Sequence, residues 1–344
     1  MKMFSKRSIL SITILLVSLT IIFSSCRNHS NVDVYVVGYN TNASGIPIAT
    51  LWKNGVLQQL NDGTYRAMAT YVFISGINVY VCGNESNTSG IWVSTLWKNG
   101  VPQRLSDGTH RAHATSVYVS GRDVYVTGWE LNSSGISVAT IWKDGIAQRL
   151  SDGTNNSLAS SVYVSNKDIY VSGREVNASG KSVATIWKNG AAQKLSDGTG
   201  HAEAPSIFVS SNDVYTAGYE NNKSNIMVAM LWKNGTAQKL SDGTHNAYAC
   251  SVYMVGNDLY ATGWEYNKSN VQVATIWKNG VAERLSDGTR DAGINQMYVS
   301  GSDIYLVGYE YNISIPIAKI WKNEVAQNLS DGFYEAEAIS VFVK

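Results

Sequence analysis

The pair Trp-Lys returns at Trp52, Trp97, Trp142, Trp187, Trp232, Trp277 and Trp321, spaced 45 residues apart five times and 44 the last time. A period of that size with strand-like content marks a propeller, in which each copy is one small sheet. The third copy shows how a unit reads. Ser116 to Ser120 (SVYVS) forms a strand A, Asp123 to Glu130 (DVYVTGWE) a strand B, Ser137 to Trp142 (SVATIW) a strand C and Ile146 to Leu150 (IAQRL) a strand D. Between C and D stands Asn-Gly or Asp-Gly, the pair that best tolerates positive φ at both positions of a type I′ hairpin. The A-to-B link is equally tight, whereas the B-to-C link (LNSSG) is longer and the D-to-A link (SDGTHRAHAT) longest. One end of each sheet is therefore bare and the other decorated.

The array starts on a strand B, Asp33 to Gly38, and ends on a strand A, Ser340 to Val343. A cyclic shift of this kind has a use only if the last strand completes the first blade. The expected fold is an all-β, seven-bladed propeller of four-stranded blades over residues 33–344, its ring closed by the chain's two ends so that only short edges remain. Four prolines, thirty glycines and twenty tyrosines agree with strands joined by glycine turns.

Residues 1–25 are another material: Lys2, Lys6 and Arg7 precede an apolar run from Ile9 to Phe23, then Ser24, Ser25 and Cys26. The run is short for a membrane span of about 20 residues and reads as a secretory signal. The FSSC stretch resembles a lipobox, which implies cleavage before Cys26, lipidation of its sulfur, and residues 26–32 as a tether. Without residues 1–25 the chain keeps 24 basic against 26 acidic residues, a balance that gives no reason to expect nucleic acid as a partner. Cys82 and Cys250 fall in separate units and are expected as unpaired thiols.

What is the same in every copy builds. The seven tryptophans are expected to fill the gaps between blades, and the aspartates of the Asp-Gly-Thr series, Asp62 to Asp331, to hold local turns. Asn42, Asn87, Asn132, Asn177, Asn222, Asn267 and Asn312 read the same way. With these motifs in view, the array ATxWKNGxxxxLxDGT resembles that of exported β-propeller lipoproteins of bacteria, a family with no activity attached to it. The resemblance covers residues 33–344 and implies a lipid-anchored protein of the bacterial cell envelope. WD-repeat propellers are only loosely similar, since their Gly-His and Trp-Asp pairs are missing.

What differs between copies is where selectivity can lie. After each Asp-Gly-Thr, Asp-Gly-Phe in the last copy, come Tyr65, Arg66 and Met68; His110, Arg111 and His113; Asn155, Asn156 and Leu158; His201 and Glu203; His245, Asn246 and Tyr248; Arg290 and Asp291; Tyr334, Glu335 and Glu337. The end of strand B varies likewise, through Tyr39, Asn84, Trp129, Arg174, Tyr219, Trp264 and Tyr309. Both series belong to the decorated end, so they are expected as one recognition surface around the channel mouth. Four histidines in these links raise a metal site, but they belong to different blades and no cysteine joins them. Six equivalent glutamates, Glu85 to Glu310, argue for a shared structural role rather than an acid-base pair. No metal or cofactor is expected.

The sequence alone thus favours a monomeric, non-enzymatic binding or scaffold module for a protein or peptide, with a glycan ligand as the alternative and a hydrolase behind both. Strand B starts at the bare end, so the tether, at most about 25 Å when extended, would hold that end near the lipid. Lys53, Lys98, Lys143, Lys188, Lys233, Lys278 and Lys322 form a ring there, read first as solubilising charges and second as a contact for anionic headgroups.

Overall fold

The computed structural model describes residues 32–344. The signal segment, Cys26 and the tether through residue 31 lie outside them. Among the described residues there are twenty-eight strands, β1 to β28 in chain order, and no helix long and apolar enough to cross a membrane. They form seven four-stranded antiparallel sheets. Blade 3 is β8 (Ala112–Ser120), β9 (Asp123–Leu131), β10 (Ser137–Lys143) and β11 (Ile146–Arg149), in that spatial order. Blade 1 is closed as the cyclic shift requires: β28 (Ala336–Val343) pairs with β1 (Val34–Thr41). Beyond the last paired residue, Asp33 and Lys344 exchange both backbone hydrogen bonds, at 2.7 and 2.9 Å.

Strand A is innermost and strand D outermost, fully exposed in every blade. The C–D hairpins have positive φ at both central residues, for instance 50° at Asp144 and 83° at Gly145. Each tryptophan fills an interblade gap: Trp97 packs with Tyr35, Val37, Ala49 and Leu51 of the preceding blade, Trp142 with Tyr80, Cys82 and Leu96. Six of the seven indole N–H groups have no partner, so these side chains act through apolar contact alone. The turn residues also do what was expected of them. Asp107 Oδ1 accepts from Thr109 N at 2.8 Å, and Asn87 Oδ1 accepts from Ser89 N and Ile91 N at 3.0 Å. Asn87 Nδ2 donates to Gly108 O at 3.1 Å, which shows the B–C and D–A loops lying against each other at one end of the blade.

Strand A departs from its sequence reading. It begins four residues earlier, at Ala112 rather than Ser116 in blade 3, and carries a bulge between Ala114 and Ser116. The bulged residue ties blade to blade: Thr115 Oγ1 donates to Ala159 O at 2.8 Å, as Thr70 Oγ1 does to Ala114 O at 2.9 Å. At the bare end the lysines are largely spoken for. Lys53, Lys143, Lys188, Lys233, Lys278 and Lys322 pair with Asp33, Asp123, Asp168, Asp213, Asp258 and Asp303 at 2.7–2.8 Å. Each also lies over a tyrosine, as does Lys98 over Tyr80.

Candidate functional site

Because strand A lines the channel, its alternate residues form stacked rings around the axis. From the loop end, the first ring is Met68, His113, Leu158, Glu203, Tyr248, Gly293 and Glu337, all on strands rather than on the D–A links. The last ring before the hairpin end is Phe73, Tyr118, Tyr163, Phe208, Tyr253, Tyr298 and Phe342. Their centroids follow one another at 4.6–6.0 Å around the complete circle, Phe342 returning to Phe73 at 5.2 Å. Neighbouring planes differ by 40–67°, scattered about a seventh of a turn. That is the angle required if every ring stands upright along the axis. The result is a closed aromatic collar in which each ring touches the next.

On the loop side of the collar lies a chamber of about 510 Å³, with Thr70, Thr115, Ser160, Pro205, Cys250 and Asn295 in its wall and Tyr248 and Glu337 toward its mouth. No lining residue lies beyond the collar. Tyr71, where five other blades have serine, and Gln296 also line the chamber. The volume is that of an ordinary small-ligand site. Burial pushes the Cys250 thiol up to about 12, so it stays protonated and inert. Cys82 and Cys250 are both unpaired, as expected.

The mouth gathers eight of the sequence-derived candidates. Glu203 accepts from Arg174 Nη1 at 3.0 Å; burial raises its pKa, and the guanidinium lowers it only in part. Tyr219, Tyr248 and Trp264 follow in edge-to-face contact at 5.3 and 5.8 Å. Tyr309 covers Gly293, its hydroxyl 2.5 Å from Gln272 Nε2. On the other side His113 is stacked on Trp129 at 4.6 Å and leans on Trp92 at 5.7 Å, with Arg66 over Trp92 at 5.8 Å. The His113 Nε2 atom is buried without a partner.

Burial, with Arg111 adding to it, holds the His113 pKa down at about 4. The imidazole is thus neutral when folded and protonated more readily when unfolded, whose ordinary pKa is about 6.5. Its contribution to stability is complete above about pH 6.5 and is lost as the pH falls from there toward 4. His113→Phe, which keeps the stack, should remove that part of the acid sensitivity, on the order of 1–2 kcal/mol after allowance for partial exposure. Thermal midpoints taken between pH 7 and 4 check this; parallel curves for the two proteins would refute it.

The other candidates stay apart from the chamber. Tyr65, Arg66, His110, Arg111, Arg290 and Tyr334 are exposed on the D–A loops, and His245 is half-buried there. His110 and His245 each meet only the preceding threonine hydroxyl, at 3.0 and 2.9 Å. His201 and Asp291 serve the backbone, accepting from Ser182 N at 3.2 Å and Gln272 N at 2.8 Å. The four loop histidines do not converge, and no cluster of three metal-ligating side chains occurs among the described residues. Two features escaped sequence reasoning. The collar was visible only as an aromatic in every strand A, which also reads as ordinary strand propensity; Asn295 and Cys250 sit at the bulge, where the strand's alternation is broken.

No protein-family model matches the chain, and no characterised protein sequence matches it. Solved structures do, as folds. The β-propeller domain of the Trilobed protease from Pyrococcus furiosus, described as having an open velcro topology, is 12% identical with a TM-score of 0.54 over 88% of this chain and 95% of that one. A Mycobacterium tuberculosis puromycin-hydrolyzing peptidase is 10% identical, TM-score 0.58, over 85% of this chain and 53% of that one. The Pyrococcus horikoshii acylaminoacyl peptidase is 12% identical, TM-score 0.51, over 89% and 52%. The chain spans about half the length of these two peptidases.

These comparisons correct the reading of the chain as a free-standing module that recognises a partner on its varied face. Propellers of this shape stand in peptidases at 10–12% identity, a likeness of fold. The geometry moves the aromatic candidates inward. Trp129, Tyr219, Tyr248 and Trp264, expected as exposed platforms, are packed against one another and the strand A ring at the mouth of an internal chamber. No catalytic domain accompanies the propeller among the described residues.

Proposed function

We propose that this chain is the non-catalytic, propeller part of a hydrolytic system of the peptidase kind. It holds the end of an extended peptide in its axial chamber while a separate hydrolase acts on the rest. A lipidated Cys26 would keep it in the bacterial cell envelope. The observation that carries the reading is the axial chamber, with Tyr248 and Glu337 toward the loops and the aromatic collar at its other end. A chamber narrowed by such a collar suits an end of a chain rather than a folded surface.

The test uses the purified full-length protein and a fluorescent N-acetylated decapeptide. Anisotropy should show saturable binding, at least tenfold weaker when the same sequence is closed into a ring by a disulfide. Ser160→Trp, which fills the chamber from its wall, should abolish binding and should also abolish co-purification of peptidase activity toward that peptide from envelope extracts. Equal binding of linear and closed peptides, or indifference to Ser160→Trp, would overturn the reading.

A further inference from the structure

The chamber mouth holds two half-buried carboxyl groups in unlike settings. Glu203 has the Arg174 guanidinium at 3.0 Å. Glu337 has no lysine or arginine partner among the described residues. Its Oε1 accepts from Asn295 Nδ2 at 2.8 Å, and that same nitrogen donates to Ala338 O at 2.9 Å, so the amide is fixed and aimed. Tyr39 lies directly across the strand pair from Glu337; burial raises its pKa, and the Glu337 charge raises it further. A buried carboxylate costs several kcal/mol unless a cation meets it, and hydrogen bonds from neutral groups leave its charge in place. Asn295 holds and aims the carboxylate, yet the fold supplies no counter-ion.

The space beside it has matching chemistry. The next position of the ring is Gly293, whose missing side chain leaves a gap that the Tyr309 hydroxyl and the Gln272 amide enter, each 3.0 Å from where its Cβ would stand. Over that gap stands Tyr309, in edge contact with Tyr311 at 5.9 Å, while Tyr39 flanks the other side. Tyrosine rings around one carboxylate favour a cation with an organic body, since ring faces attract the charge and ring area covers the carbon. A hydrated metal ion is disfavoured, because Glu203 is taken by Arg174 and no three ligating side chains converge among the described residues.

We propose that Glu337, with Tyr39, Tyr309 and Asn295, is a receptor for an organic ammonium group at the chamber mouth. Glu337 is the counter-ion, the tyrosines are the walls, and Asn295 keeps the carboxylate aimed at the lumen. The proposal rests on the chamber being the receiving site for a peptide, and gives that site a preference for a peptide bearing a free amine. Burial raises the Glu337 pKa, so bound ammonium displaces a proton as the pH falls toward it, and affinity decreases on the acid side.

Calorimetry on the full-length protein at pH 7.5 tests this with n-butylammonium as the probe and n-butanol as its uncharged counterpart. Butylammonium should bind at least tenfold more tightly than butanol, and Glu337→Gln, which keeps a partner for Asn295, should erase the difference without lowering the melting temperature. Glu203→Gln should leave the difference intact. Alanyl-alaninamide and N-acetyl-lysinamide then separate an α-ammonium from a side-chain ammonium as the natural group. Equal affinities for amine and alcohol, or an unchanged preference in Glu337→Gln, would refute the receptor. If the acetylated decapeptide still binds in that case, the chamber reading stands and only the ammonium site falls.

Discussion

Gly128→Ala should unfold about 10 °C below the parent protein, a loss of about 4 kcal/mol for a chain of this size. The cause is a contact. A Cβ at Gly128 would stand 1.8 Å from His113 O and 3.0 Å from Ala114 Cα, both backbone atoms of the neighbouring strand. The bulge in strand A pushes its carbonyl over strand B at this point, and the same approach recurs at Gly38, Gly83, Gly173, Gly218, Gly263 and Gly308, at 1.8–2.1 Å. No rotamer can relieve it; either the bulge or the ladder must move. Gly135→Ala is the matched comparison. Its φ is +76° but a Cβ there meets nothing, so it should lose only the left-handed penalty of about 1–2 kcal/mol. Melting curves followed by circular dichroism decide between them. Equal, small losses would mean that the bulge is soft and that the glycine series has another origin.

The same bulge explains why the site was harder to read than the fold. The period, the Asn-Gly hairpins and the cyclic shift of the first strand each act locally or by count, and all three led to the observed ring. Strand A was cut short because two consecutive residues, Thr115 and Ser116, straddle the bulge. The alternation before it is out of phase with the alternation after it, so Ala112 to Ala114 read as loop beyond Asp-Gly-Thr. That shift moved His113, Glu203, Tyr248 and Glu337 from the channel wall to an imagined surface. The difference between Glu203 and Glu337 was hidden for another reason. Arg174 reaches Glu203 from the preceding blade, a neighbour across 29 residues that only the closed ring brings together.

Those misplacements have a functional consequence. A surface of aromatic and charged loops suggests a partner resting on top, and the exposed residues that remain there, such as Tyr65, Arg111 and Tyr334, carry no shared geometry. The residues that do share one face inward, toward a volume limited by the collar. Selectivity in such a site comes from what fits and what meets the one unmatched carboxylate, rather than from the number of contacts.

A disulfide across the closing strands should raise the melting temperature by roughly 10 °C in the oxidised protein. The exchange of both hydrogen bonds between Asp33 and Lys344 makes Val34 and Val343 the adjacent pair without such bonds, with Cα atoms about 4.5 Å apart. That spacing falls in the range a disulfide spans without strain, and the double change Val34→Cys and Val343→Cys would close a loop of nearly the entire propeller. Loop entropy alone sets an upper bound of about 5 kcal/mol for so long a loop. The gain also depends on where unfolding begins. Every other junction between blades is crossed by a covalent link, whereas blade 1 is held by the pairing of β1 with β28 and by ties such as Val72 N to Ser340 Oγ at 3.1 Å. That blade is therefore the natural place for the ring to open. Oxidised and reduced forms that melt together would show that the ring gives way elsewhere, with strand β28 still in place.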